Sequence, residues 1–166
     1  MQKQPEQPQP QTIRALGRVR LNVESIGAII EEVRPLLMQN WEEAAVEKDT
    51  SPLDPDWQRY YAMEAAGILG IVTLRVNGKL GGYVICFVGP TMQNASTVWG
   101  QIDTIWLHPK LRRGNLGNKL LQFAEEKLKA AGAKIVKIDT APRVGNWLIR
   151  KGYTAQHVVL TKILGE

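Results

Sequence analysis

Cysteine and histidine are scarce in this chain of 166 residues: there is one cysteine, Cys86, and there are two histidines, His108 and His157. A lone cysteine excludes an internal disulfide and suits a reducing compartment. So few ligating side chains also leave no pattern for a zinc site. No apolar run approaches the roughly 20 residues that a membrane helix needs, and the polar start MQKQPEQPQPQ is not a signal peptide. No GxxxxGK[ST] pattern occurs, so the chain carries no P-loop.

What is present is an ordinary globular composition, 44% hydrophobic and 22% charged, at a length that suits one domain with a proper core. The first eleven residues alternate Gln with Pro and offer no aliphatic side chain after Met1, so they read as a disordered tail, with the domain over 12–166. The charge is unevenly divided. Residues 108–166 hold twelve Lys and Arg against four Asp and Glu, whereas residues 1–107 hold nine against twelve. A basic half suggests a polyanion. The lysines of 119–137 fall on a helix surface and around a turn with Phe123 as the single aromatic in that span, which favours a solvated face over a nucleic-acid interface.

The elements can be taken in order. Ile13–Leu21 alternates as a first strand, and Asn22 caps a helix from Val23 carrying Ile26, Ile29, Ile30 and Val33 on one stripe. Pro35 should break that helix and start a second one to Val46. Asp54-Pro55 opens a helix to Ala66. Ile68–Val76 and Lys79–Val88 form a hairpin about Asn77-Gly78, with Gly81-Gly82 marking a bend or bulge. A loop over Pro90–Ser96 leads to a strand over Thr97–Leu107, and an amphipathic helix from Leu116 ends at Gly132. Lys134–Thr140 is a strand, Asn146–Arg150 a short helix, and Thr154–Leu164 a last strand. The order predicts an α/β fold with a mixed sheet, an antiparallel meander first and a βαβ crossover after it.

The stretch from Leu107 to Leu121 organises the rest. It reads as a strand end, a basic loop with Gly114, and the first turn of a helix with Gly117. That arrangement aims several backbone N–H groups at one anion, for which a polyphosphate is the natural guest. With Arg112, Asn115 and Gly117 in the pattern Gln/Arg-x-x-Gly-x-Gly/Ala, the segment resembles the acetyl-CoA motif of the GNAT N-acetyltransferase superfamily. Arg112 and Gly117 match, and Asn115 replaces the first glycine. Within that superfamily it looks most like the compact members found in tailed-phage genomes.

The resemblance implies a GNAT-like fold, a mixed and mostly antiparallel central sheet flanked by helices in a single domain. It also implies acetyl-CoA as co-substrate and direct acetyl transfer to a primary amine of an unidentified acceptor. Ile105 and Leu107 would run beside the pantetheine arm, and Arg112, Arg113, Gly114, Asn115, Leu116, Gly117 and Asn118 would hold the pyrophosphate. On the same strand, Gln101 and Asp103 stand where the family often places a glutamate base, and Asp103 is the one able to take a proton. By the period of two, Gln101, Asp103, Ile105 and Leu107 should share a face. Trp41, Glu42, Glu43, Trp57, Tyr60, Tyr61 and Glu64 become acceptor-side candidates against a plain packing role. The family's thiolate-protonating tyrosine falls on Leu148, four residues before Gly152-Tyr153, so the acid is missing from its customary place.

Competing readings remain at this level: a GNAT-fold binding or virion-associated module that turns nothing over, or a nucleic-acid-directed modifier. The expected location is the cytoplasm, that of the host for a phage-encoded protein, or the virion, where a partner would order the tail. GNAT relatives are often dimers.

Overall fold

The computed structural model of the chain describes residues 17–45, 48–157 and 159–164. A five-stranded sheet in the order β1-β2-β3-β4-β5 forms its middle. The strands are β1 (Val19–Val23), β2 (Leu69–Val76), β3 (Lys79–Thr91), β4 (Asn94–Leu107) and β5 (Ile135–Ile138), and the helices are α1 (Ile26–Ala44), α2 (Trp57–Ala65), α3 (Leu116–Ala130) and α4 (Pro142–Ile149). Strands β1 to β4 are antiparallel neighbours, and β5 joins β4 in parallel through the α3 crossover. This is the expected mixed, mostly antiparallel α/β fold.

Each face of the sheet has its own core. On one, Leu120, Leu121, Ala124 and Leu128 of α3 pack against Val72, Leu74, Val84, Cys86 and Ile102. On the other, Ile26, Ile29, Val33 and Leu37 of α1 cover Leu69, Ile71, Tyr83, Ile85 and Trp106. The helical spacing of the two apolar stripes and the alternation along the strands therefore sort the side chains between two layers.

Four sequence expectations are corrected. Helix α1 runs unbroken through Pro35. Proline removes one N–H, but Glu31, whose carbonyl loses that bond, is exposed to water, and the buried stripe continues past the break on the opposite side. The helix begins after Ser25 rather than Asn22, because Val23 is still paired with Val72 in the sheet. The expected loop over 90–96 is a tight hairpin, with Thr91 and Asn94 paired across Met92-Gln93. Finally, the described residues of 154–164 form no strand, and Val159, Leu160, Ile163 and Leu164 are exposed. Alternation supplies a propensity for extended chain but does not supply the neighbour a strand needs. The expected tail over 1–11 lies outside the described residues.

Candidate active site

Strand β4 is where the site begins, because its two ends are held differently. Its pairing with β5 runs from Trp99↔Ile135 to Ile102↔Ile138 and stops there, while pairing with β3 continues to Gly82↔Leu107. Residues 103–107 thus have one neighbour strand and one open edge. His108 donates its N–H to Gly81 O at 2.8 Å, and antiparallel alternation then turns Trp106 and Thr104 toward β3 as well. The backbone groups of Ile105 and Leu107 are left facing the open side. The Leu107 carbonyl accepts from Arg112 Nε at 2.8 Å, which confirms the direction.

A bulge between Ile85 and Cys86 on β3 sets Asp103 as the extra residue of β4. It breaks the period of two. Ile102, Ile105 and Leu107 pack toward α3, whereas Gln101, Thr104 and Trp106 lie opposite Phe87, Ile85 and Tyr83 on the α1/α2 side. Gln101 therefore does not share a face with Ile105 and Leu107, contrary to the expectation from strict alternation. Asp103 is exposed, accepts a hydrogen bond from Thr104 Oγ1 at 3.1 Å, and lies within electrostatic reach of Tyr60 on α2. Burial, and then the charge of Asp103, push the Tyr60 hydroxyl above its ordinary 10.

Past Leu107 the chain makes a short helical turn over Pro109–Leu111 and enters the loop. Among the described residues, the amides of Arg113, Gly114, Asn115, Leu116, Gly117 and Asn118 donate to no protein acceptor, and the next N–H, that of Lys119, bonds Asn115 O at 3.0 Å. Gly114 takes φ +90, the left-handed backbone that glycine adopts without a Cβ clash, and Asn115 follows at φ −106. The departure at Asn115 is thus accommodated, since the glycine that turns the chain is the one before it. Asn115 caps α3 without spending its side chain on a helix N–H. A Cβ placed on Gly117 would meet nothing closer than Trp147 Cζ2 at 3.9 Å and Leu107 Cδ2 at 4.0 Å. The space over the helix N-terminus is open.

Arg112 is the one loop residue that behaves otherwise. Its N–H bonds Pro109 O, and its guanidinium turns back toward α1, where Nη2 meets Glu43 Oε2 at 2.6 Å. Arg113, Lys110, Lys119 and Arg143 are exposed and make no ion pair among the described residues. The positive charge around the open amides is therefore uncompensated, and an anion there gains from both sources.

A family model for the GNAT acetyltransferases matches residues 30–146. The chain belongs to the GNAT acetyltransferase family. An aminoalkylphosphonate N-acetyltransferase from Salmonella typhimurium is 28% identical over 115 residues, which cover 68% of this chain and 66% of that protein, slightly under two thirds of its length. Among solved structures, the ribosomal-protein-alanine N-acetyltransferase of Brucella melitensis superposes with a TM-score of 0.66 at 19% identity, covering 90% of this chain and 100% of that one. The glucosamine-6-phosphate N-acetyltransferase of Arabidopsis thaliana does so with a TM-score of 0.69 at 14% identity, covering 89% and 99%. At these identities the structures establish the fold.

Within this GNAT chain the tyrosine position of the family is closed. Leu148 is 2% exposed and belongs to the α3-side core. Tyr153 packs against the same core and donates to Glu125 Oε1 at 2.7 Å, and burial raises its hydroxyl well above the ordinary tyrosine value. Cys86 is buried with its thiol on Gly70 O at 3.2 Å, and desolvation pushes it up to about 11. It is a packing residue. Glu64 caps α1 by accepting from Ile26 N at 2.9 Å, and Glu42 pairs with Lys48, so neither faces an acceptor freely.

Two contacts escape sequence reasoning. Trp147 Nε1 donates to Asn118 Oδ1 at 3.1 Å and so fixes the last loop side chain from α4. Glu43 meets Arg112 from 69 residues away. No local pattern marks either, because each partner is brought up by a different element.

Proposed function

We propose that this protein is an acetyl-CoA-dependent N-acetyltransferase that carries the acetyl group directly to the primary amine of a small acceptor. The observation that carries this reading is the run of six backbone amides from Arg113 to Asn118 with no acceptor among the described residues. An amide row at a helix N-terminus, with Gly114 and Gly117 leaving the approach open, fits a diphosphate in both charge and shape.

Acetyl-CoA, when bound, supplies the thioester that makes the acetyl carbon reactive. The chain supplies orientation. The amides of 113–118 hold the diphosphate, and the open edge at Ile105 and Leu107 lines up the arm as an added strand would. A backbone N–H on that edge donates to the acetyl oxygen as negative charge develops there. Asp103 at the bulge takes the proton from the incoming ammonium, directly or through water. With Leu148 in the acid's position, the departing thiolate takes its proton from water, and holding the two reactants together supplies much of the rate. The aminoalkylphosphonate acceptor of the Salmonella relative supports a small amino compound as substrate. A cytoplasmic location follows from the need for acetyl-CoA.

Titration calorimetry with acetyl-CoA, followed by thiol release over a panel of amines, tests the reading. Micromolar binding and amine-dependent thiol release are expected. Absence of heat at millimolar acetyl-CoA overturns the site, and binding without release over the whole panel reduces the protein to a CoA-binding module.

A further inference from the structure

The fold leaves two buried hydrogen-bond donors side by side with nothing to bond. Tyr83 Oη and Trp106 Nε1 have no partner among the described residues, although Tyr83 is 0% and Trp106 3% exposed. The two residues face each other across β3 and β4, with ring centroids 5.9 Å apart, on the side covered by α1 and α2. An unpaired buried donor costs about 1–3 kcal/mol. Two of them at one cross-strand pair, three residues along β4 from Asp103, point to a partner that arrives with the acceptor. The third unpartnered buried donor, Trp99 Nε1, lies toward the other end of β4 and is not part of this group.

Arg112 completes the set. Its guanidinium carbon stands 6.0 Å from the Trp106 ring, with Nε fixed on the Leu107 carbonyl and Nη2 on Glu43. All three side chains are donors, and Glu43 is the carboxylate that pairs with Arg112 among the described residues; its charge also reaches Tyr83. Glu43 is 37% exposed. It can therefore swing into water without stranding a buried charge, provided another anion takes its place on Arg112.

We propose that Tyr83, Trp106 and Arg112 form an anion subsite for the acceptor, which is a small amine that also bears an oxyanion, and that Glu43 holds the anion's place until it binds. This rests on the acetyltransferase reading and names the acceptor's chemical class. The strand rises about 3.3 Å per residue, so Asp103 and Trp106 are at most about 10 Å apart. Carboxylate, phosphate and phosphonate share the chemistry. A neutral amine has nothing to exchange for Glu43.

The test is calorimetry on the full chain with 2-aminoethylphosphonate, β-alanine and propylamine, with and without acetyl-CoA, alongside thiol release for each. The two anionic amines should bind at least about tenfold tighter than propylamine, the worth of one charge-assisted hydrogen bond, and their ratio tells a tetrahedral from a planar anion. Glu43→Gln should tighten anionic acceptors several-fold by removing the competitor. Tyr83→Phe should weaken them about tenfold while raising Tm, since it deletes an unpaired buried hydroxyl. Equal affinity for all three amines, or a Tyr83→Phe variant that changes Tm alone, overturns the subsite. Selective binding without thiol release keeps the subsite and discards the transferase, whereas efficient acetylation of propylamine does the reverse.

Discussion

Ile102 pairs with Ile138, and they are the last residues that β4 and β5 have in common. From that rung onward β4 continues without β5 toward the loop, so the open edge at Ile105 and Leu107 and the open amides of 113–118 stand at the same end of the strand, separated by the short helical turn over Pro109–Leu111. In the function proposed above, the parting of the two parallel strands is where the arm of a nucleotide thioester would lie, and the loop is where its diphosphate would be held.

Gly117 tests the loop. Its φ lies outside the left-handed region, and a Cβ would make only ordinary contacts with Trp147 and Leu107, so Gly117→Val should fold with stability within about 1 kcal/mol of the native chain. The valine side chain would stand beside Trp147 and Leu107 at the start of α3. Calorimetric affinity for acetyl-CoA should fall by more than about tenfold, and an unchanged affinity would show that the diphosphate binds elsewhere.

Asp103 tests the proton path. It is exposed at the bulge, so Asp103→Asn removes a charge without opening the core. The substitution should lower kcat/KM by about a hundredfold. Equal kcat/KM in both proteins would exclude Asp103 as the base.

Glu24 and Glu32 predict how the fold responds to acid. Arg75 donates to both, at 2.8 Å to each, and these bonds hold both carboxyls below their ordinary value of 4.5. A depressed folded value means that stability is present above about 4.5 and is lost as pH falls through the folded values. Glu24→Gln should lower Tm near neutral pH by a few degrees, roughly 1 kcal/mol for a chain of this size, and flatten the decline between about pH 5 and pH 3. Thermal melts across that range decide it, and a native-like slope in the variant would remove Glu24 from the acid response.

Tyr153 separates packing from chemistry. Its hydroxyl is bonded to Glu125 at 2.7 Å. Tyr153→Phe should cost about 1 kcal/mol of stability and leave kcat unchanged. A drop in kcat of tenfold or more with Tm retained would make Tyr153 the missing acid.

Much of the architecture is legible in local signals, and the reason differs by element. Asn77-Gly78 sets the β2–β3 hairpin because both residues accept positive φ, +52 and +83. The stripe Leu116, Leu120, Leu121, Ala124 and Leu128 defines α3 because an amphipathic helix must bury one side. Gly132 ends that segment at φ +94. By contrast, Pro35 misleads because the rule for proline concerns an isolated helix, whereas α1 is held by four buried side chains along its length. Thr154–Leu164 misleads because a strand is a relation between two segments.

The order of residues alone determined the loop at 112–118 and the helix that follows it, since turn chemistry and helical periodicity act over a few neighbouring residues. Which side chains meet across the site is a matter of the tertiary structure. A single bulge at Asp103 turns Gln101 away from Ile105 and Leu107, the end of pairing at Ile138 opens the edge of β4, and the docking of α1 brings Glu43 to Arg112. Each of these depends on contacts between segments far apart in the chain, which no local pattern encodes.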